Sequence, residues 1–362
     1  MLSTPTAADT AAAALARHTE AAHPVSLDDV RRAHAVVLEH VPPTPIISHP
    51  LLSEALGFEA VVKLENAHTV GSCKIRGALN LLAGMSEDER ARGLVTATSG
   101  NHGHAMARAA QIFGSHLTAF VPRNNSRDRN AVMAGLGADV IEAGHDFDAA
   151  MRAAERYAAS HGARLVHPAT EPELMAGVAT LALEMIEQSE PLDALFLPVG
   201  GGLAAAGTAI VFKALSPATR IYGVQSENAP AMHHAWHTGE RRGFAVAGTV
   251  ADGLALRTPV EYTLAVLEDT LDGMLLVSEA DVYEAIRTYA NTIHQIADGA
   301  AAVALAAARA MAGELAGQRV GMVLTGGNIE AGTLKHILGG GAPLHHPQAM
   351  PYYPITELSY GY

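Results

Sequence analysis

The chain has 362 residues, with 24 Lys plus Arg against 37 Asp plus Glu, a formal net charge of −13, and 49% hydrophobic and 17% charged residues. A chain this apolar buries a sizeable core and is not disordered. An acidic balance without basic clusters excludes a general nucleic-acid backbone binder, and a single cysteine excludes an intrachain disulfide framework and a Cys-rich zinc site.

Residues 1–22 read as a peripheral arm. The first 17 are rich in Ala and Thr and lack a basic start before an apolar stretch, so they do not read as a signal peptide. No run of about 18 apolar residues occurs anywhere, so no membrane span is expected and a cytoplasmic protein is. From residue 60 onward short apolar runs alternate with helical patterns. Strands are expected at 94–98, 117–122, 139–142, 165–167, 194–199, 221–225, 274–277 and 320–324. Helices are expected at 101–113, 128–136, 146–160, 172–187, 204–215, 260–271 and 279–296. Such alternation implies α/β architecture with parallel sheets covered on both faces, and so many strands suit two sheets better than one. Residues 339–362 lack helical or strand periodicity and read as a C-terminal arm.

Only four residues are lysines: Lys63, Lys74, Lys213 and Lys335. Lys74 follows Gly71-Ser72-Cys73 at the start of a helix-like stretch. A helix N-terminus offers free amides and a positive dipole end, which help bind anions and lower a lysine's pKa. The alternative is an exposed, solvated lysine. A second segment, Thr98-Ser99-Gly100-Asn101-His102-Gly103, lies directly between strand and helix, where parallel sheets bind ligands. There Ser99 or Asn101 could equally be a plain N-cap. A third, Pro198-Val199-Gly200-Gly201-Gly202-Leu203, again runs strand, glycines, helix; its amides can cradle a phosphate. Gly200, Gly202 and Ala205 also satisfy a dinucleotide fingerprint, with Glu227 a loose fit for its acidic partner. A fourth, Leu324-Thr325-Gly326-Gly327-Asn328, follows the last strand and is either a turn or a hydroxyl placed for a ring nitrogen.

Together these segments make the chain resemble the fold type II pyridoxal-phosphate enzymes, specifically the threonine/serine dehydratase and serine racemase branch. The resemblance spans residues 27–338 and rests on 44–45, 63–80, 98–105, 137–140, 198–207, 227–230, 251–253, 299–305 and 325–328. It implies two doubly wound open-sheet domains of the tryptophan synthase β-like kind. The large cofactor domain would comprise 1–75 and 166–338, and 76–165 would form a small mobile domain. Lys74 would hold pyridoxal 5'-phosphate as a Schiff base and later move the proton. Asn101 would face the cofactor's phenolic oxygen. Gly200, Gly201, Gly202 and Leu203 would hold its phosphate, and Thr325 would face its pyridine nitrogen, a neutral partner that steers the cofactor's chemistry. Ser72, Ser99, Gly100, Asn101 and His102 would receive the substrate carboxylate, and Ser99 matches the second base of racemases. A homodimer acting on a small amino acid, away from nucleic acid and membranes, is implied.

The implied reaction is β-elimination from a β-hydroxy amino acid such as threonine, serine or a bulkier analogue, giving a 2-oxo acid and ammonia. Racemisation or β-replacement on the same scaffold is the alternative; a nicotinamide-binding oxidoreductase or a non-catalytic binder is more remote. Several positions depart from the family pattern. Cys73 stands where Phe is usual, Leu203 replaces a fourth glycine, and Asp298 replaces Glu. Gln225, Ala229 and Ala231 occupy positions where racemase-like members place divalent-metal ligands, so no metal site is expected. His68, His102, His104 and His167 are candidates for substrate contact or for structural roles. Cys73 is a candidate reactive thiol or a small packing residue.

Overall fold

The computed structural model describes residues 23–344 and the backbone of 353–354; the arm at 1–22 and most of that after 344 lie outside the described residues. Two parallel sheets organise the chain. The larger has the order β1 (Ile46–Ser48), β2 (Glu59–Leu64), β11 (Arg319–Leu324), β7 (Ala194–Pro198), β8 (Arg220–Ser226) and β10 (Gly273–Val277). Only β1 runs antiparallel to its neighbour. The smaller sheet, all parallel, has the order β5 (Asp139–Glu142), β4 (Leu117–Val121), β3 (Leu94–Ala97) and β6 (Arg164–Leu165).

Alternation along each strand decides what each face covers. In the larger sheet Val61, Leu195, Leu197 and Val323 point into one core, beneath helices Pro172–Gln188 and Leu203–Leu215. Ala60, Val62, Phe196 and Met322 point the other way, beneath helices Glu279–Ile293 and Gly299–Ala310. The first core also contains Leu94, Leu117, Ala119 and Val121 of the smaller sheet, so it runs unbroken from one sheet to the other. Helix Lys74–Ala83 lies within it. Gly77 and Gly177 bring that helix onto Pro172–Gln188 at backbone distance. A Cβ at Gly177 would stand 2.5 Å from the Arg76 carbonyl oxygen, and one at Gly77 would stand 2.7 Å from that of Leu174.

The expected strands all form, with ends shifted by a residue or two. The strand expected at 165–167 stops earlier, at Leu165, although Val166 N still donates to Val95 O at 2.8 Å. The helix expected to reach 296 ends at Ile293, because His294 turns left-handed at φ 54°. The helices Leu27–Leu38, Pro50–Leu56 and Ala331–Leu338 and the edge strand β1 are additions to that reading. So is a two-residue pairing of β12 (Tyr353–Pro354) with β9 (Arg242–Gly243), within the arm that showed no periodicity.

Because Lys63 alternates with Val62 and Leu64, it points with Val61 towards Pro172–Gln188. There it meets a buried charge network. Lys63 Nζ donates to Glu184 Oε2 at 2.6 Å and to Thr44 O at 2.8 Å. Arg76 donates to Glu184 Oε1 at 2.6 Å and to Glu65 Oε2 at 2.7 Å. All four charged side chains are at most 2% exposed. Burial alone would raise the Glu65 carboxyl, but the Arg76 guanidinium overrides it and holds it far below the carboxylate range. Burial likewise opposes ionisation of Glu184, while the nearby His34, 3.7 Å away, and hydrogen bonds from Arg76 and Lys63 bring it down to about 2.

Removing one member leaves an uncompensated buried charge, so Lys63→Met should lower unfolding stability by about 3–5 kcal/mol, read by denaturant unfolding. Both carboxyls have depressed pKa values. Their contribution is therefore complete above the ordinary 4.5 and shrinks as pH falls below it, that of Glu184 being lost as pH passes through about 2 and that of Glu65 lower still. The wild-type denaturation midpoint should fall across that window, and a flat midpoint there would refute the coupling.

Candidate active site

The loops that follow β2, β3, β7 and β11 open at the carboxyl ends of parallel strands, where such sheets bind ligands. They meet around a cleft of about 450 Å³. The residues that the resemblance assigns to cofactor and substrate all line it: Ser72, Lys74, Ser99, Gly100, Asn101, His102, Gly200, Gly201, Gly202, Leu203 and Thr325.

Lys74 is the first residue of its helix, half-buried, with Cys73 at the N-cap and no side chain capping the first turn. Its loop is stitched to the one after β11: Cys73 N donates to Thr325 O at 2.9 Å, and Ser72 bridges Gly326. Ser72 is buried, and its Oγ has no hydrogen-bond partner within the protein. Ser72 lines the cleft, so this hydroxyl is free to serve a ligand there.

The N-cap alternative for the second loop does not hold. Gly100 is the N-cap residue of helix Asn101–Ile112 and uses no side chain. Thr98 takes over that work, its Oγ1 accepting from Gly100 N at 3.1 Å and Gly103 N at 3.0 Å. Ser99 and Asn101 are thereby released from capping and line the cleft. His102 also lines it, but its Nε2 lies 3.0 Å from Thr96 Oγ1. Burial, then the nearby Lys74 and His167, push its pKa down to about 3, so the ring is neutral.

The glycine loop passes the test for a phosphate cradle. A Cβ at Gly200 would stand 2.5 Å from the Gly253 carbonyl oxygen, and one at Gly201 would stand 2.7 Å from Ala169 Cβ. Gly202 is left-handed at φ 81° and starts helix Leu203–Leu215 without a side-chain cap. Free amides at a helix start, approached by bare backbone, suit an anion. Opposite them, Lys74 offers the amine that an aldehyde cofactor requires.

Sequence reasoning passed over the ion pairs of Arg129 and Arg257, and noted Asp298 only as a departure from the family's Glu. Arg129 pairs with Asp252 across the cleft, and both line it; its Nη2 also donates to Asn328 O at 3.1 Å. Arg257 makes a second cross-cleft pair with Asp146, at 2.9 Å. Asp298 accepts from Asn101 Nδ2 at 2.9 Å. No local signal marks Arg129, since its partner lies 123 positions away.

Of the histidines, His167 lines the cleft and accepts from Ala169 N through Nδ1 at 3.1 Å. His68 instead lies 3.2 Å from Glu65, and His104 lies 3.2 Å from the Arg129 carbonyl oxygen. Gln225 Oε1 accepts from His233 N at 2.8 Å, so its carbonyl serves helix Ala231–Thr238.

Cys73 is 2% exposed, and burial pushes its thiol up to about 12. Only a negligible thiolate fraction exists at pH 8, and the thiolate is the nucleophile. N-ethylmaleimide at pH 8 should therefore leave the folded protein unmodified by mass and label it once after denaturation. Rapid labelling of the native protein would contradict the packing role.

The chain matches the family model for "Pyridoxal-phosphate dependent enzyme" over residues 37–326. It is 35% identical over 317 residues to an L-threonine ammonia-lyase of Thermotoga maritima, covering 88% of this chain and 79% of that one. It is 31% identical over 312 residues to an L-threo-3-hydroxyaspartate ammonia-lyase of Saccharomyces cerevisiae, covering 86% and 96%. The crystal structure of the serine racemase from Dictyostelium discoideum superposes with a TM-score of 0.79 at 30% identity, covering 85% of this chain and 99% of that one. The dinucleotide reading of the glycine loop gives way to this match. With its family model spanning both sheets and all four site loops, the chain belongs to the pyridoxal-phosphate-dependent enzymes.

Proposed function

We propose that this protein is an ammonia-lyase that converts a β-hydroxy amino acid into a 2-oxo acid and ammonia, using pyridoxal 5'-phosphate. The observation that carries the reading is the meeting, in one cleft, of a single lysine amine, an unpartnered buried hydroxyl and a glycine cradle. The relatives named for L-threonine and L-threo-3-hydroxyaspartate support the substrate class.

When bound, the cofactor draws electrons from the substrate's Cα and makes the proton there removable. This chain's residues do the rest. Lys74 would hold the cofactor covalently through Nζ, and the same amine, when free, would take the Cα proton. The hydroxyls of Ser72 and Ser99 and the backbone amides of Asn101 and His102 receive the carboxylate and turn Cα towards that amine; the Gly100 amide is already taken by Thr98. The amides of Gly200, Gly201, Gly202 and Leu203 hold the phosphate. Thr325 offers the pyridine nitrogen a neutral hydroxyl. The β-hydroxyl would leave as water with the proton that Lys74 took from Cα, and the enamine, once released, would hydrolyse to the 2-oxo acid and ammonia.

Residues 76–165 form the mobile unit in this reading. The Arg129–Asp252 and Arg257–Asp146 pairs latch it over the substrate and exclude water. The acting form is a cytoplasmic homodimer. Among the described residues no helix is long and apolar enough to cross a membrane. Racemisation is the second reading, because Ser99 lines the cleft in the loop beside Asn101 and could serve as a second base.

Two experiments test these assignments. Borohydride reduction of the holoenzyme should add the cofactor's mass to Lys74 and to none of the other three lysines, and Lys74→Ala should abolish both the visible band and turnover. A panel of β-hydroxy amino acids in deuterated water should give 2-oxo acid and ammonia. D-isomer as the main product would favour racemisation. Neither product from any member would refute the lyase assignment.

A further inference from the structure

Asn101 reaches the cleft from the first turn of its helix, and its amide is held at both ends. Its Nδ2 donates to Asp298 Oδ2 at 2.9 Å, and its Oδ1 accepts from Asn328 Nδ2 at 2.7 Å. Asn328 Nδ2 also donates to Val70 O at 2.8 Å. Asp298 is 3% exposed; its other oxygen, Oδ1, accepts from Ala301 N at 2.9 Å and caps helix Gly299–Ala310.

An amide can sit either way round, so its orientation must be decided by what surrounds it. Here both termini of the chain of bonds can only accept. Val70 offers a carbonyl oxygen, so Asn328 must turn its NH2 there, and that group's second hydrogen falls to Asn101 Oδ1. Asp298 offers a carboxylate with both oxygens accepting, so Asn101 must turn its NH2 to it. The two ends impose the same orientation. Asn101 lines the cleft beside Ser72, so a hydrogen of its NH2 that no protein group takes is available to an acceptor there. A Cβ at Gly326 would stand 3.0 Å from Asn101 Nδ2 and 3.2 Å from Ser72 Cβ, and Ser72 and Asn101 both line the cleft. One of the two Nδ2 hydrogens goes to Asp298, and the other meets no acceptor among the described residues.

We propose that Asp298, assisted by Asn328, is a positioning residue that fixes the Asn101 amide so that a donor, and not a lone pair, faces the cofactor's phenolic oxygen. This rests on the reading of the cleft as the cofactor site. With the amide reversed, two oxygens would face each other and a charge-assisted hydrogen bond would be lost.

Asp298→Asn is nearly isosteric and separates orientation from packing. The cap on Ala301 still requires an oxygen, so the new NH2 is placed against Asn101 and drives its amide to reverse. Asp298→Glu keeps a carboxylate. The full chain is titrated with pyridoxal 5'-phosphate, and the bound cofactor's visible band is followed against pH alongside thermal melting. Asp298→Asn should weaken cofactor binding by about 10- to 100-fold, the worth of one hydrogen bond to a charged group. It should also displace the band or its pH midpoint, with melting close to the parent. Asp298→Glu should restore the parent band. An Asp298→Asn protein whose band, midpoint and Kd match the parent's overturns the proposal. If that variant does not fold, Asn328→Ala carries the test: a smaller change in the same direction supports the clamp, and an unchanged band and Kd overturn it. Failure of the parent itself to be marked on Lys74 by borohydride would overturn the cofactor reading, whereas marking with indifferent variants overturns the clamp alone.

Discussion

Two positive and two negative side chains, Lys63, Arg76, Glu65 and Glu184, share one dry compartment between β2 and the helices Lys74–Ala83 and Pro172–Gln188. Isolated, each would be intolerable there; together they are neutral and nearly every polar atom is bonded. The network's importance is positional. Arg76 stands two residues after Lys74, so the guanidinium that locks the network also locks the first turn of the helix presenting the amine. A buried apolar cluster of similar volume could match its stability, but would define register and rotation less sharply.

The other site loops depend on that placement. Cys73 and Ser72 are bonded to the Thr325 loop, Asn328 bonds back to Val70, and Arg129 joins the loop after β11 to Asp252. Segments far apart in the chain thus converge because parallel strands release their loops on one side. Backbone hydrogen bonds then fix the distances between them. Cys73, with its thiol kept protonated by burial, fits as a small filler in this stitching.

Much of this was legible in the sequence, for identifiable reasons. The sheets were, because buried parallel strands read as short apolar runs set between longer helical periods. The glycine loop was, because Gly200 to Gly202 tolerate no side chains and precede a helix. What escaped notice depends on partners distant in sequence. Lys63 reads as an ordinary strand residue until Glu184, 121 positions away, is seen to neutralise it. Thr98, and not Ser99 or Asn101, caps its helix because Gly103 brings the backbone against it; a Cβ there would stand 2.5 Å from Thr98 Cγ2. The end of helix Glu279–Ile293 turns on a left-handed histidine, a conformation that composition does not announce. The capping box of Ser26 and Asp29, by contrast, was readable and simply outside the stretch of clear alternation.

The contact between Gly77 and Gly177 bears on how the cleft can close. Where two helices touch backbone to backbone, no side chains intervene to slide or repack, and the pair behaves as one rigid piece. Lys74 therefore belongs mechanically to the larger sheet, even though its helix leads directly into the smaller one. Any closing motion of the proposed mobile unit would then bend the chain after Ala83 and not at residue 76, so helix Lys74–Ala83 would stay behind with the larger sheet. On the proposed reading the loop at 99–102 would travel, delivering the substrate to a stationary amine.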